Sequence, residues 1–116
     1  MKRDIGLYFE DMVDAIRKIE EYIAGFSMES FLDDEKTQDA VTRNIEIIGE
    51  AVKNIPNEIK IKYPAVEWRD AAAMRDILIH DYPDVIPRAV WDTVMVSIPK
   101  FKEDISKVIK DEGFKL

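Results

Sequence analysis

Apolar residues recur at alternating spacings of four and three along this chain, and this spacing limits the fold more than any other feature. The first such stripe consists of Ile5, Phe9, Met12, Ile16, Ile19 and Ile23. Comparable stripes run through residues 41–55 and 91–108. This spacing puts apolar side chains on one face of an α-helix. No alternating apolar run bounded by turn residues occurs, so the pattern predicts helices and no strands.

Capping and turn residues divide these stripes into separate helices. The predicted long helices cover residues 4–24, 34–54, 67–80 and 87–111, with a short helix at 57–63 and a turn of helix after Ser27. Asp4 is a suitable N-cap and Gly25 a suitable C-cap for the first helix, and Asp33 or Asp34 can cap the second. Pro99 predicts a kink in the last helix. Four long amphipathic helices with short connections predict an all-α, antiparallel four-helix bundle with an additional short helix.

Length and composition restrict the class of protein further. The chain has 116 residues, of which 47% are apolar and 35% charged, so we expect residues 1–116 to form a single globular domain. No apolar run is long enough to span a membrane, and no secretory signal follows the N-terminus. The absence of cysteine suits a reducing cytoplasm. With one histidine and no cysteine, neither a metal site nor a cofactor is expected, although carboxylates could still hold a hard cation.

The net charge of −7 points in two directions. Proteins that bind nucleic acid usually carry positive charge to neutralise phosphates. An acidic protein can still bind RNA in a locally basic cleft, but weakly and with strong dependence on salt. Its overall charge better suits a protein partner. Both an RNA substrate and a protein partner therefore stay open.

The only histidine lies in the sequence Arg75-x4-His80-x-Tyr82. Because the ordinary pKa of an imidazole lies near neutrality, His80 is the residue best suited to proton transfer at neutral pH. Two structural interpretations compete with a catalytic one: His80 can cap a helix C-terminus, and Tyr82 can simply pack near a helix end. Pro83 disfavours helical geometry at the residue before it, so the helix that carries Arg75 should end near His80.

The helical geometry expected around Arg75 has consequences for a shared site. In an α-helix, Arg75 and His80 would lie ~140° apart around the axis. They would therefore meet only if the chain unwinds after His80, or if they come from two subunits. Asp76 and His80, at positions i and i+4, would be neighbours, so Asp76 could orient the imidazole.

A second group of charged residues lies on the second helix. Arg43, Glu46 and Glu50 share one flank because they lie at positions i, i+3 and i+7. The favoured interpretation is a surface ion pair of small energetic value. The alternative is that these residues line a cleft that faces Arg75. Charged residues on the polar face of the first helix, such as Asp11 and Arg17, are interpreted as solvated.

The Arg75-x4-His80-x-Tyr82 pattern, with Asp76 directly after the arginine, resembles the RX4HXY motif of HepT-like toxins in the HEPN superfamily. Residues 43–51, Trp68 and residues 91–94 are also similar to that family, and the resemblance runs from about residue 4 to residue 110. It implies a HEPN-like helical domain with metal-independent ribonuclease activity at a homodimer interface. It also implies that Tyr82 receives AMP groups from a cognate nucleotidyltransferase antitoxin.

RNA cleavage without a metal needs a base for the 2′-hydroxyl, an acid for the leaving oxygen and positive charge at the phosphate. His80 can act as base or acid, and Arg75 can hold the phosphate through two hydrogen bonds. Three hypotheses follow: a ribonuclease toxin silenced by a nucleotidyltransferase, a non-catalytic subunit that presents substrate to such a partner, or a bundle that only dimerises. Val85, Ile86 and Val90 exceed what one apolar stripe needs, which predicts a homodimer surface.

Overall fold

The structure is a computed structural model that describes residues 3–78 and 86–116, with side chains described for 3–76 and 87–116. Every regular element in these ranges is helical, which confirms the predicted all-α fold. The elements are α1 (Ile5–Ile23), α2 (Met28–Leu32), α3 (Glu35–Lys53), α4 (Asn57–Lys62), α5 (Trp68–Ala73), a 3₁₀ segment (Met74–Leu78), α6 (Ile86–Asp92), a π-helical segment (Thr93–Ser97) and α7 (Ile98–Glu112). Short α2 and α4 connect the longer helices.

The first two long helices begin at the residues that their caps dictate. The Asp4 carboxylate accepts a hydrogen bond from the Gly6 N–H at the start of α1. At the start of α3, the Asp34 carboxylate accepts from the Thr37 N–H, so Asp34 rather than Asp33 is the cap. Gly25 follows the end of α1 with a φ of +82°, a conformation that glycine adopts without strain.

Helix α3 occupies the centre of the bundle and packs against α1, α2, α5, α6 and the 3₁₀ segment. The apolar stripes predicted from the sequence supply the core: the fully buried side chains include Phe9, Met12, Ile16, Ile19, Val41, Ile45, Ile48, Val52, Ile105 and Val108. Val90, which the sequence analysis placed on a homodimer surface, does not lie on the surface of the subunit. Because α6 packs onto α2 and α3, Val90 is buried inside the subunit and is unavailable to a second copy.

The last helix is irregular before Pro99 rather than at it. Residues Thr93–Ser97 form a π-helical segment, in which the Ile98 N–H reaches the Thr93 carbonyl five residues back. Pro99, which has no N–H to donate, lies in the first turn of α7. One wider turn therefore lies directly upstream of the proline, and the kink at Pro99 stays a prediction. Within residues 3–78 and 86–116, no helix has the length and apolarity needed to cross a bilayer.

Polar side chains join the end of α4 to the end of α7. The Tyr63 hydroxyl donates to the carboxylates of Asp111 and Glu112, and Lys62 Nζ lies 2.6 Å from Glu112 Oε2. The hydrogen bonds from Lys62 and Tyr63 hold the pKa of Glu112 below its ordinary value. Burial and the two neighbouring carboxylates raise the pKa of Tyr63.

This cluster makes the stability of the fold depend on pH. Because the pKa of folded Glu112 lies below the ordinary 4.5, its contribution is complete above that pH and is lost as the pH falls through the folded-state value. We expect Glu112→Gln to be less stable than wild type at neutral pH and to lose less stability on acidification. Urea unfolding at about pH 7 and about pH 3 measures both effects. Glu103→Gln, at an exposed position of α7, is the control, and a Glu112→Gln profile identical to wild type would contradict the assignment.

Candidate active site

Arg75 lies in the 3₁₀ segment that continues α5, and this segment packs against α3. The sequence predicted a regular α-helix to about residue 80, but the α-helical part ends at Ala73. A 3₁₀ helix turns once every three residues. The angle derived for Arg75 and His80, and the i, i+4 relation between Asp76 and His80, assumed α-helical geometry from residue 75 to residue 80. Met74–Leu78 is 3₁₀ instead, and since His80 lies outside the described residues, its position relative to Arg75 and Asp76 stays a prediction. The Asp76 side chain is exposed.

The Arg75 side chain crosses α3 beside Gly49 and reaches Glu50. Arg75 Nη1 donates to Glu50 Oε1, and this contact joins the 3₁₀ segment to α3 through residues 25 positions apart in sequence. A Cβ atom at Gly49 would lie 3.2 Å from the Ala72 carbonyl oxygen and 3.2 Å from Arg75 Cβ and Cδ. The missing side chain of Gly49 therefore leaves the space through which Arg75 passes.

The Arg75 side chain lines an open cleft of about 630 Å³. The lining residues are Arg3, Tyr8, Asp11, Arg43, Glu46, Ile47, Glu50, Ala51, Asn54 and Arg75. The three charged residues singled out on the second helix thus line the same cleft as the motif arginine. Arg43 Nη1 also lies 3.7 Å from Glu46 Oε2. Arg43 and Glu46 therefore form a surface ion pair and also line the cleft.

Residues from α1 and the segment before it complete the cleft and were missed by the sequence analysis. Arg3 Nη1 lies 2.5 Å from Asp11 Oδ2, and the Arg3 guanidinium lies 5.0 Å from the centre of the Tyr8 ring. Asp11 was interpreted as solvated because it lies on the polar face of α1. That face is polar in sequence whether it meets water alone or a cleft, so periodicity could not distinguish the two.

Each arginine in the cleft pairs with a carboxylate: Arg3 with Asp11, Arg43 with Glu46, and Arg75 with Glu50. Among the lining residues that the structure describes, positive and negative charges therefore balance, on a chain whose net charge is −7. A phosphate that binds here can use the guanidinium N–H donors that the paired carboxylate does not take. Because exposed ion pairs are weak, the pairing does not exclude a phosphate from the cleft.

Two residues of the predicted site, His80 and Tyr82, lie outside the described residues. Of the motif, the structure describes the side chains of Arg75 and Asp76. The 3₁₀ segment before this stretch and α6 after it pack against each other.

A helical bundle that presents the arginine of an Arg-x4-His-x-Tyr sequence in a polar cleft fits the HEPN class of proteins. The ribonuclease HepT-like family model matches residues 12–108, and the chain belongs to that family. A probable ribonuclease HepT of Thermococcus cleftensis is 49% identical over 110 residues, which cover 95% of this chain and 100% of the relative. No solved structure matches the chain. Membership confirms both the predicted family and the predicted class of enzyme, an endoribonuclease.

Two relatives from Methanocaldococcus jannaschii extend the comparison. One, named as a candidate RNase, is 38% identical over 110 residues, which cover 95% of this chain and 91% of the relative. The other, named as a gamma-glutamylcyclotransferase and candidate RNase, is 41% identical over 111 residues. Those residues cover 96% of this chain and 50% of that relative, so the matching region there is part of a longer protein.

Proposed function

We propose that this protein cleaves RNA without a metal ion, through attack of a 2′-hydroxyl on the adjacent phosphate. His80 removes the 2′-hydroxyl proton, and the oxygen forms a bond to phosphorus while the bond to the 5′-oxygen breaks. The leaving 5′-oxygen takes up a proton from water, which yields a cyclic phosphate and a free 5′-hydroxyl. Arg75 binds the phosphate and stabilises the charge that develops on it. Asp76 orients the imidazole of His80.

The observation that carries this proposal is the position of Arg75. Its side chain is 29% exposed and lines a cleft whose volume, about 630 Å³, lies in the range of small-ligand sites. A guanidinium offers five N–H donors in a planar fork. One hydrogen bond to Glu50 leaves donors that can face a phosphate. Arg43 and Arg3 offer further contacts to an RNA backbone in the same cleft.

We also propose that the enzyme is the toxin of a cytoplasmic toxin–antitoxin pair. Its partner is a nucleotidyltransferase that attaches AMP to Tyr82. Because Tyr82 lies two residues from His80, the added nucleotide would bring negative charge and bulk next to the catalytic base. The active form is a homodimer, in which two-fold symmetry brings two copies of the single histidine into one cleft.

A second function is favoured by the charges of the cleft. Since every cleft arginine described is paired with a carboxylate, the protein can instead be a non-catalytic subunit that binds the nucleotidyltransferase and presents substrate to it. The acidic net charge also fits a long-lived protein partner.

One set of assays separates these functions. RNA cleavage is measured in EDTA for wild type and His80→Ala, and binding of the nucleotidyltransferase is measured in parallel. Cleavage by wild type that is lost in His80→Ala, with partner binding intact, supports the ribonuclease. Partner binding without cleavage by either form supports the accessory subunit. Transfer of AMP to wild type and not to Tyr82→Phe tests the modification site, and equal labelling of both would contradict it.

A further inference from the structure

We propose that Gly49 and Glu50, consecutive residues of α3, are positioning residues that set the location of the Arg75 guanidinium. Gly49 leaves the space in which the arginine side chain lies, and Glu50 holds its end at the cleft. The inference rests on the proposed function, because there Arg75 is the group that binds the phosphate. It adds two residues, outside the RX4HXY motif, on which the reaction depends.

Gly49 is buried in the middle of α3, where glycine is otherwise unfavourable. A Cβ atom there would approach three atoms at 3.2 Å, of which one is backbone, the carbonyl oxygen of Ala72. The other two belong to the Arg75 side chain. Alanine at this position would therefore push α5 and Arg75 away from α3, because the Ala72 carbonyl cannot move independently of its helix.

The ion pair of Arg75 and Glu50 differs from that of Arg43 and Glu46 in the same cleft. Arg43 is 72% exposed, and its partner Glu46 is on the same turn of α3. Arg75 is 29% exposed, and its partner belongs to a different element. An ion pair between elements that also confines a half-buried guanidinium fixes where the donors point. Such preorganisation matters for catalysis, since a displacement of about 1 Å can reduce the rate by about 100-fold.

Gly49→Ala tests the space requirement, with Gly6→Ala as its matched control. Gly6 is also a helical glycine, but a Cβ atom there would meet its nearest neighbour, Phe114 Cδ1, at an ordinary 3.4 Å. We expect Gly49→Ala to lower kcat for RNA cleavage by about 10- to 100-fold. Gly6→Ala should cleave like wild type. Equal kcat values for Gly49→Ala and wild type would overturn the role of Gly49.

Glu50→Ala tests the holding role, with Glu46→Ala for comparison. Both changes remove one carboxylate from the same cleft, so both should lower KM for RNA by reducing repulsion of its phosphates. Only Glu50→Ala removes the group that holds Arg75, so only it should lower kcat, by about 10-fold. Glu50→Gln, which keeps an acceptor of the same size, should recover much of the loss. A Glu50→Ala enzyme with wild-type kcat and lower KM would show that Glu50 only competes with RNA.

A measurement that does not depend on cleavage separates this inference from the proposed function. The Nε–H signal of Arg75, assigned by its loss in Arg75→Lys, is followed by nitrogen-15 NMR. We expect it to move in Gly49→Ala and Glu50→Ala and to stay in place in Gly6→Ala and Glu46→Ala. If wild type fails to cleave RNA, the proposed function fails while this test still stands. An unmoved signal in both of the first two variants would overturn the positioning.

Discussion

Replacing Arg75 with alanine is expected to reduce RNA cleavage by about 10²- to 10³-fold, the usual cost of removing one preorganised donor from a developing oxyanion. The loss should fall mainly on kcat, because the contact strengthens as charge builds on the phosphate. Arg75→Lys should restore only a small part of the rate. Lysine keeps the charge but lacks the planar fork that binds two phosphate oxygens at once. Initial rates on a defined RNA in EDTA measure both variants.

The control for this prediction is Arg69→Ala. Arg69 is an exposed arginine on α5 that does not line the cleft in the part of the chain that the structure describes. This variant removes the same charge from the helix that the Arg75 segment continues, and it should cleave within about twofold of wild type. Cleavage by Arg75→Ala at a rate close to that of Arg69→Ala would show that Arg75 has no role in the reaction.

Replacing Phe9 with alanine is expected to lower the free energy of unfolding by about 3–5 kcal/mol. Phe9 is fully buried, and its ring packs edge-on to Trp68 at 6.3 Å and stacks on Phe114 at 5.3 Å. It therefore joins α1 to the start of α5 and to the chain after α7. Since a domain of this size has a total stability of about 5–15 kcal/mol, the loss is a large fraction of the whole.

Urea unfolding at neutral pH measures the effect of Phe9→Ala, and Leu7→Ala serves as its control. Leu7 lies on the same helix but is 41% exposed, so its truncation should cost about 0.5 kcal/mol or less. Similar losses for the two variants would mean that the ring of Phe9 is not the anchor that its burial indicates.

The helices and the core were predictable because apolar spacing reports directly on which side chains face inward. The 3₁₀ segment around Arg75 and the π-helical segment at Thr93–Ser97 were not, because their backbone hydrogen bonds change partner while buried side chains such as Met74 and Val94 still face inward. Whether a segment forms a 3₁₀, α or π helix depends on its packing against other elements, and the spacing of apolar residues does not reveal it.

The cleft was predictable only in part. The sequence put Arg43, Glu46 and Glu50 on one flank, but it did not determine which element would cross that flank. The contact of Arg75 with Glu50 depends on how α5 packs on α3, which no local pattern encodes. One signal was present in the sequence: a glycine inside a strongly amphipathic helix, which usually marks a close approach of another element. The roles of His80, Tyr82 and the nucleotidyltransferase stay predictions.

The π-helical segment also bears on how members of this family can differ in length. A π turn holds one residue more than an α turn between the same two contacts. Deleting a single residue within Thr93–Ser97 would therefore convert the segment to uninterrupted α-helix, while Val90 and Ile98 would keep their places on either side of it. A one-residue gap at this point in a sequence alignment would signify a change of helix type, with the rest of the bundle unaltered.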